Sequence, residues 1–250
     1  MDLLISRILK YLNGCLNDDY MYHIGNFIVK NYHHICQYDF KKVKEEGHFT
    51  DCEVNDFCKH LGFNNYEDFN QKLLFDQQLR SEQIQSRMLN IDDNHFIDYI
   101  QSSMDKSDFL QLIDELTDLI FDNQRIIIIG ALYPSSVAVD FQTDMITLGK
   151  EVVEYHQFDK DFTFNENDIV ILISATGRIM QSYMKLLKPK NICSAYLVLI
   201  TQNMKYTNYE NVCADYVFHV KGKFDGIQFN YQIMMILDML RIHYYKKYYQ

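Results

Sequence analysis

The segment Ser174-Ala175-Thr176-Gly177-Arg178 places two hydroxyls, a glycine and a guanidinium within five residues. It closes the apolar run Asp168–Ser174 (DIVILIS), which reads as a buried strand, and it opens a helical pattern over 177–187. Such a turn offers free backbone amides at the helix start, hydroxyl donors and a positive charge. That set of groups suits an anion. The plainer alternative is that Thr176 only caps the helix. A second turn, Gly130-Ala131-Leu132-Tyr133-Pro134-Ser135-Ser136, brings Ser135 and Ser136 to the start of another helix. Thr201, followed by Gln202 and Asn203, ends a further strand and is a third candidate. Four further groups have the chemistry of a base for proton transfer: Glu151, Glu154, His156 and His219. None sits in a motif that assigns it that task.

These turns need a parallel sheet beneath them. Arg125–Gly130 (RIIIIG), Glu151–His156, Asp168–Ser174, Ala195–Thr201 and Asp215–Val220 read as strands. Helical patterns follow over 134–148, 177–187 and 226–245. Alternating strands and helices predict an α/β unit with helices on both faces of the sheet. Ligands of such sheets gather at the carboxyl ends of the strands.

The first 75 residues have a different pattern, all helical. Leu4, Ile5, Ile8, Leu9 and Leu12 mark one amphipathic helix, and Ile24, Phe27, Ile28 and Tyr32 a second. A helix near Phe40–Glu46 stops at Gly47. Thr50 and Glu53 form a capping-box pair, so another helix starts at Asp51 and ends at Gly62, and Asn65 caps the next. Two short helices joined by a tight turn match a helix-turn-helix. Residues 76–122 lack glycine and proline and carry 11 acidic against 3 basic side chains, which predicts a charged helical connector.

The 250 residues carry a net charge of −10, which excludes a nucleic-acid protein that is basic throughout. No apolar run is long enough to cross a bilayer. Six dispersed cysteines fit reduced thiols, and a cytoplasmic location is expected. Cys58 and His60 lack further ligands in sequence, so no metal is expected, and no nucleotide motif or other cofactor signature is present. The amphipathic tail Tyr244–Tyr249 either docks on a partner subunit or frays, and fraying is expected of its last residues.

Three motifs, HLGFNNYEDF (His60–Phe69), VILISATG (Val170–Gly177) and LVLITQN (Leu197–Asn203), give the chain its family likeness. Together they resemble the RpiR/MurR family of bacterial sugar-responsive transcription regulators over almost the whole length. The resemblance implies a helix-turn-helix domain over 1–76, an acidic connector over 77–122 and a SIS (sugar isomerase) domain over 123–250. It implies a phosphosugar held by Ser174, Thr176, Gly177, Arg178, Ser135, Ser136 and Thr201. It implies DNA contacts from the region of Lys41, Lys42, Lys44, Thr50, Cys52, Asn55 and Lys59, and a homodimer or dimer of dimers. On this reading the chain is a regulator of carbohydrate metabolism and not an enzyme. The alternatives are a member that has lost DNA or sugar binding and acts through protein contacts, and a sugar-phosphate isomerase. The chain departs from the family pattern at Glu53 (usually Thr), Asp56 (usually Arg), Leu132 (usually Gly), Pro134 (usually Ser) and Ile179 (usually Thr). The two acids repel DNA phosphate.

Overall fold

The computed structural model describes residues 3–88, 91–92, 96–130, 133–180, 185, 190–207, 214–224 and 226–249. Its centre is a five-stranded sheet in the order β2-β1-β3-β4-β5. The strands are β1 (Arg125–Gly130), β2 (Glu151–Glu154), β3 (Ile169–Ile173), β4 (Tyr196–Thr201) and β5 (Tyr216–His219). All pair in parallel. Their continuous apolar runs follow from burial on both faces. Ile126, Ile128, Ile171 and Val198 enter one core, and Ile127, Ile129, Val170 and Leu199 enter the other. Helices α7 (Lys106–Asp122), α8 (Tyr133–Thr147) and α9 (Gly226–Tyr248) cover the first face. Met180 and the 3₁₀ turns at Ile192–Ser194 and Met204–Thr207 cover the second. The parallel sheet with its helices bears out the expected α/β unit. The expected helix over 177–187 is described only at 178–180 and 185, so its course lies outside the described residues.

The N-terminal helices are α1 (Leu4–Asn13), α2 (Tyr20–Lys30), α3 (Tyr32–Ile35), α4 (Phe40–Gly47), α5 (Asp51–His60) and α6 (Tyr66–Met88). The capping box forms: Thr50 Oγ1 accepts from the Glu53 amide at 3.3 Å, and Glu53 Oε2 accepts from the Thr50 amide at 2.8 Å. Gly62 has φ +91° after α5, as its position past the helix end predicts. The left-handed residue after α4 is His48, with φ 57°, rather than Gly47. Asn65 Oδ1 accepts from the Asp68 amide at 2.8 Å at the start of α6.

Two departures concern how the parts join. Helix α6 runs through the boundary expected at residue 76 without a break. Helix α1 has no cap of its own; Asp76 of α6 accepts from the Leu4 amide at 2.7 Å. Its apolar stripe packs on α8, and Asn13 donates to Gln142 at 2.7 Å. Arg80 of α6 then donates through Nε to the buried Asp144 of α8 at 2.7 Å, and Arg241 of α9 donates to the same carboxylate at 2.6 Å. The frayed tail expected at Tyr244–Tyr249 is also corrected. Tyr248 stacks on Phe121 of α7 at 3.8 Å between ring centroids, and Lys247 pairs with Asp114 and Asp118. The acidic face of α7 supplies the countercharge that holds the basic end of α9.

Candidate functional site

The strand order reverses at β1, whose neighbours are β2 and β3. A crevice opens at the carboxyl ends of strands on either side of such a reversal. Gly130 lies level with Ile173, so the turns after β1 and β3 start side by side. The second of these is well defined. Gly177 has φ +69°, and its amide donates to the Ser174 carbonyl at 3.1 Å. Helix opens at Arg178, whose amide and Nε each lie 3.4 Å from Thr176 Oγ1. Arg178 is exposed, Thr176 is half-buried and Ser174 is buried. The turn thus presents a hydroxyl beside a guanidinium at a helix start, an arrangement that favours negative charge.

The neighbouring turn after β4 fastens this one in place. Thr201 is fully buried; its hydroxyl donates to the Ala175 carbonyl at 3.2 Å and accepts from the Asn203 amide at 3.1 Å. Asn203 Nδ2 donates to the Thr176 carbonyl at 2.8 Å. Thr201 therefore ties two loops together, and its hydroxyl is already engaged. Sequence reasoning missed Asn203 and Tyr206 as supports. The Tyr206 ring fills the space where a Cβ on Gly177 would stand, a contact between distant residues with no local sequence signal. Ser135 and Ser136 begin α8 beside the reversal, and their side chains lie outside the described residues.

The four candidate bases are dispersed. Glu151 sits at the amino end of β2, opposite the turns, and burial raises its carboxyl above the usual value. Glu154 ends β2. His156 lies beyond it, stacked on Phe158 and edge-on to Tyr22 of α2, and burial lowers its pKa. His219 ends β5, and burial lowers it too.

In the region expected to meet DNA, each lysine of α4 and α5 lies near a carboxylate. Lys41 lies 3.7 Å from Glu45 and Lys42 lies 3.6 Å from Glu46. Lys44 pairs with Asp51 at the start of α5, and Lys59 lies 4.0 Å from Asp56. Thr50 is spent on the capping box. Cys52 is exposed and Asn55 half-buried on α5.

No family model matches the chain, and no curated protein matches it. Solved structures do. The NanR protein of Vibrio vulnificus complexed with ManNAc-6P matches at 13% identity and TM-score 0.45, over 98% of this chain and 92% of that one. A hypothetical protein from Methanococcus jannaschii, whose structure is described as inferring a 3-hexulose-6-phosphate isomerase function, matches at 18% identity and TM-score 0.48. It spans 62% of this chain and 88% of that one. A candidate phosphosugar isomerase from Bacteroides fragilis matches at 16% identity and TM-score 0.47, over 68% and 91%. At these identities the likeness concerns the fold. The expectation that the chain is not an enzyme is withdrawn, because proteins described as isomerases are among its structural neighbours.

Proposed function

We propose that this chain is a phosphosugar-responsive transcription regulator. The sugar phosphate binds at the turn after β3, with Ser174, Thr176, Gly177 and Arg178 meeting the phosphate; Ser135 and Ser136, near the start of α8, are assigned to the same ligand. Thr201 positions the turn. The observation that carries this reading is the Thr176–Arg178 pair at a helix start beside the reversal point of the sheet. DNA contact is assigned to the surface of α4 and α5, with Lys41, Lys42, Lys44, Cys52, Asn55 and Lys59. The active form is a dimer, since a helix-turn-helix reads two half-sites.

One observation favours a second reading. Each lysine of that surface has a carboxylate partner, so little positive charge is left for phosphate. In that reading the N-terminal helices signal through protein contacts instead.

Two measurements decide. Thermal melts with hexose, pentose and amino-sugar phosphates, ManNAc-6P included, should show one ligand stabilising the protein by about 2.7 kcal/mol at a hundredfold excess over its dissociation constant. Thr176→Ala should abolish that shift; equal stabilisation of both proteins removes the turn from the site. Titration against the DNA upstream of the chain's own coding region, at low and moderate salt, should give a saturable complex. Its absence at every salt concentration selects the protein-contact reading.

A further inference from the structure

Residues 101–104 run beside β5 as a short extra edge. Ser102 forms an antiparallel bridge with Val220, and the Lys221 amide donates to the Gln101 carbonyl at 2.6 Å. The Ser103 amide donates to the His219 carbonyl at 3.3 Å. This pairing brings Ser103 Oγ to 2.8 Å from His219 Nδ1. The other ring nitrogen, Nε2, lies 3.2 Å from the Gln202 carbonyl. A carbonyl only accepts, so Nε2 carries the proton and the Nδ1 lone pair faces the serine. The Ser103 hydroxyl therefore donates to a ring whose tautomer and orientation are fixed by backbone. Ser103 is exposed, whereas His219 is buried.

Both residues line one cavity of about 220 Å³. Met104, Leu112, Ala214 and Val217 make much of its wall apolar. That volume is below the roughly 300 Å³ at which drug-sized pockets begin but above the roughly 150 Å³ that holds benzene, so it suits an acyl group of about benzene's size or somewhat larger.

We propose that Ser103 and His219 form a nucleophile–base pair for acyl transfer from a small ester whose apolar acyl group fills this cavity. Ser103 Oγ attacks the ester carbonyl carbon while its proton passes to His219 Nδ1. The C–O bond to the alcohol breaks, and the alcohol leaves with that proton. Water, deprotonated by the same nitrogen, then releases the acid and restores the serine. A positioned base of this kind contributes about 10²–10⁴-fold. The inference does not rest on the phosphosugar reading: its reacting groups lie outside the turn after β3 and the N-terminal helices, and the two sites share only the supporting turn after β4 with Gln202 and Tyr206.

The test is reaction of the full chain with a small alkyl fluorophosphonate, followed by peptide mass spectrometry. Serine oxygen displaces fluoride from phosphorus, leaving a covalent adduct. The adduct is expected on Ser103, absent in Ser103→Ala, and formed at least tenfold more slowly in His219→Gln. Among the described residues, the titratable and charged groups at the cavity or acting on His219 are Asp215, Tyr216, Tyr206 and Lys221. Burial and Lys221 both lower the histidine, so the rate should fall with a midpoint below about pH 6.5, and Lys221→Gln should raise that midpoint. If His219→Gln fails to fold, Ser103→Cys replaces it: the new thiol should alkylate faster at pH 6.5 than the exposed Cys52 of the same protein. A folded wild type with no adduct on Ser103, an adduct rate unchanged in His219→Gln, or a new thiol slower than Cys52 overturns the proposal.

Discussion

Gly177 carries two separate constraints. Its φ of +69° is a conformation that side-chain-bearing residues rarely adopt, and an added Cβ would collide with the buried Tyr206 ring. Gly177→Ala should therefore cost about 1–3 kcal/mol, read as a lower urea midpoint with an unchanged slope. If the substitution is neutral, the turn relaxes more readily than its packing implies. A pH effect belongs to the same scale. Burial lowers both His156 and His219 in the folded chain, while the unfolded rings titrate near 6.5. Between the folded and unfolded values the unfolded chain binds more protons. The stability due to the neutral rings is complete above about pH 6.5 and declines as pH falls through that value. The urea midpoint should drop between pH 7.5 and 5.5, and His156→Gln should flatten that slope. An unchanged slope would mean that His156 titrates normally.

At the scale of elements, α4 and α5 present lysines already matched by acids. Freeing them is a direct test of what limits their attraction to phosphate. Glu45→Gln combined with Glu46→Gln releases Lys41 and Lys42 from their i,i+4 partners, which lie 3.7 and 3.6 Å away. Non-specific DNA affinity should rise and its salt dependence should steepen by up to about one unit of slope per lysine that gains a phosphate contact. No change would show that this surface does not meet DNA in any orientation. The capping box, the glycine after α5 and the five strands were legible in the sequence because each is set by neighbours within a few residues. The Thr176–Gly177 turn was legible for the same reason. Tyr206 under Gly177, Asn203 on the Thr176 carbonyl and Asp76 capping α1 were not, because they join residues far apart in the chain. The docking of Tyr248 on Phe121 escaped for that reason too: an amphipathic tail shows that it has an apolar side, not what that side meets.

At the scale of the molecule, the described parts of the acidic connector pack into a core shared by both halves of the chain. One apolar core runs from Leu4 and Ile8 through Phe69 and Ile113 to the sheet and on to Tyr244. Asp144 ties that core together, since it lies on α8 and receives Arg80 from α6 and Arg241 from α9. Removing its charge takes the carboxylate from the buried Arg80, while Arg241 keeps Asp238 at 2.7 Å; breaking a buried ion pair from one side in this way costs about 3–5 kcal/mol. The wild type should unfold in urea as a single transition, with helix loss by circular dichroism and tyrosine exposure by fluorescence coinciding. Asp144→Asn should lower the midpoint for both probes together. If α1 to α6 instead formed a separate head, the two probes would part and a fragment of residues 1–76 would fold alone. That fragment should stay unfolded, because the buried stripe of α1 would lose α8, and Arg80, which reaches Asp144, lies beyond its end. With one continuous core, the proposed response to a ligand does not run through a swinging, tethered head. Any ligand bound beside the start of α8 must act by shifting the balance between two packings of the same continuous core.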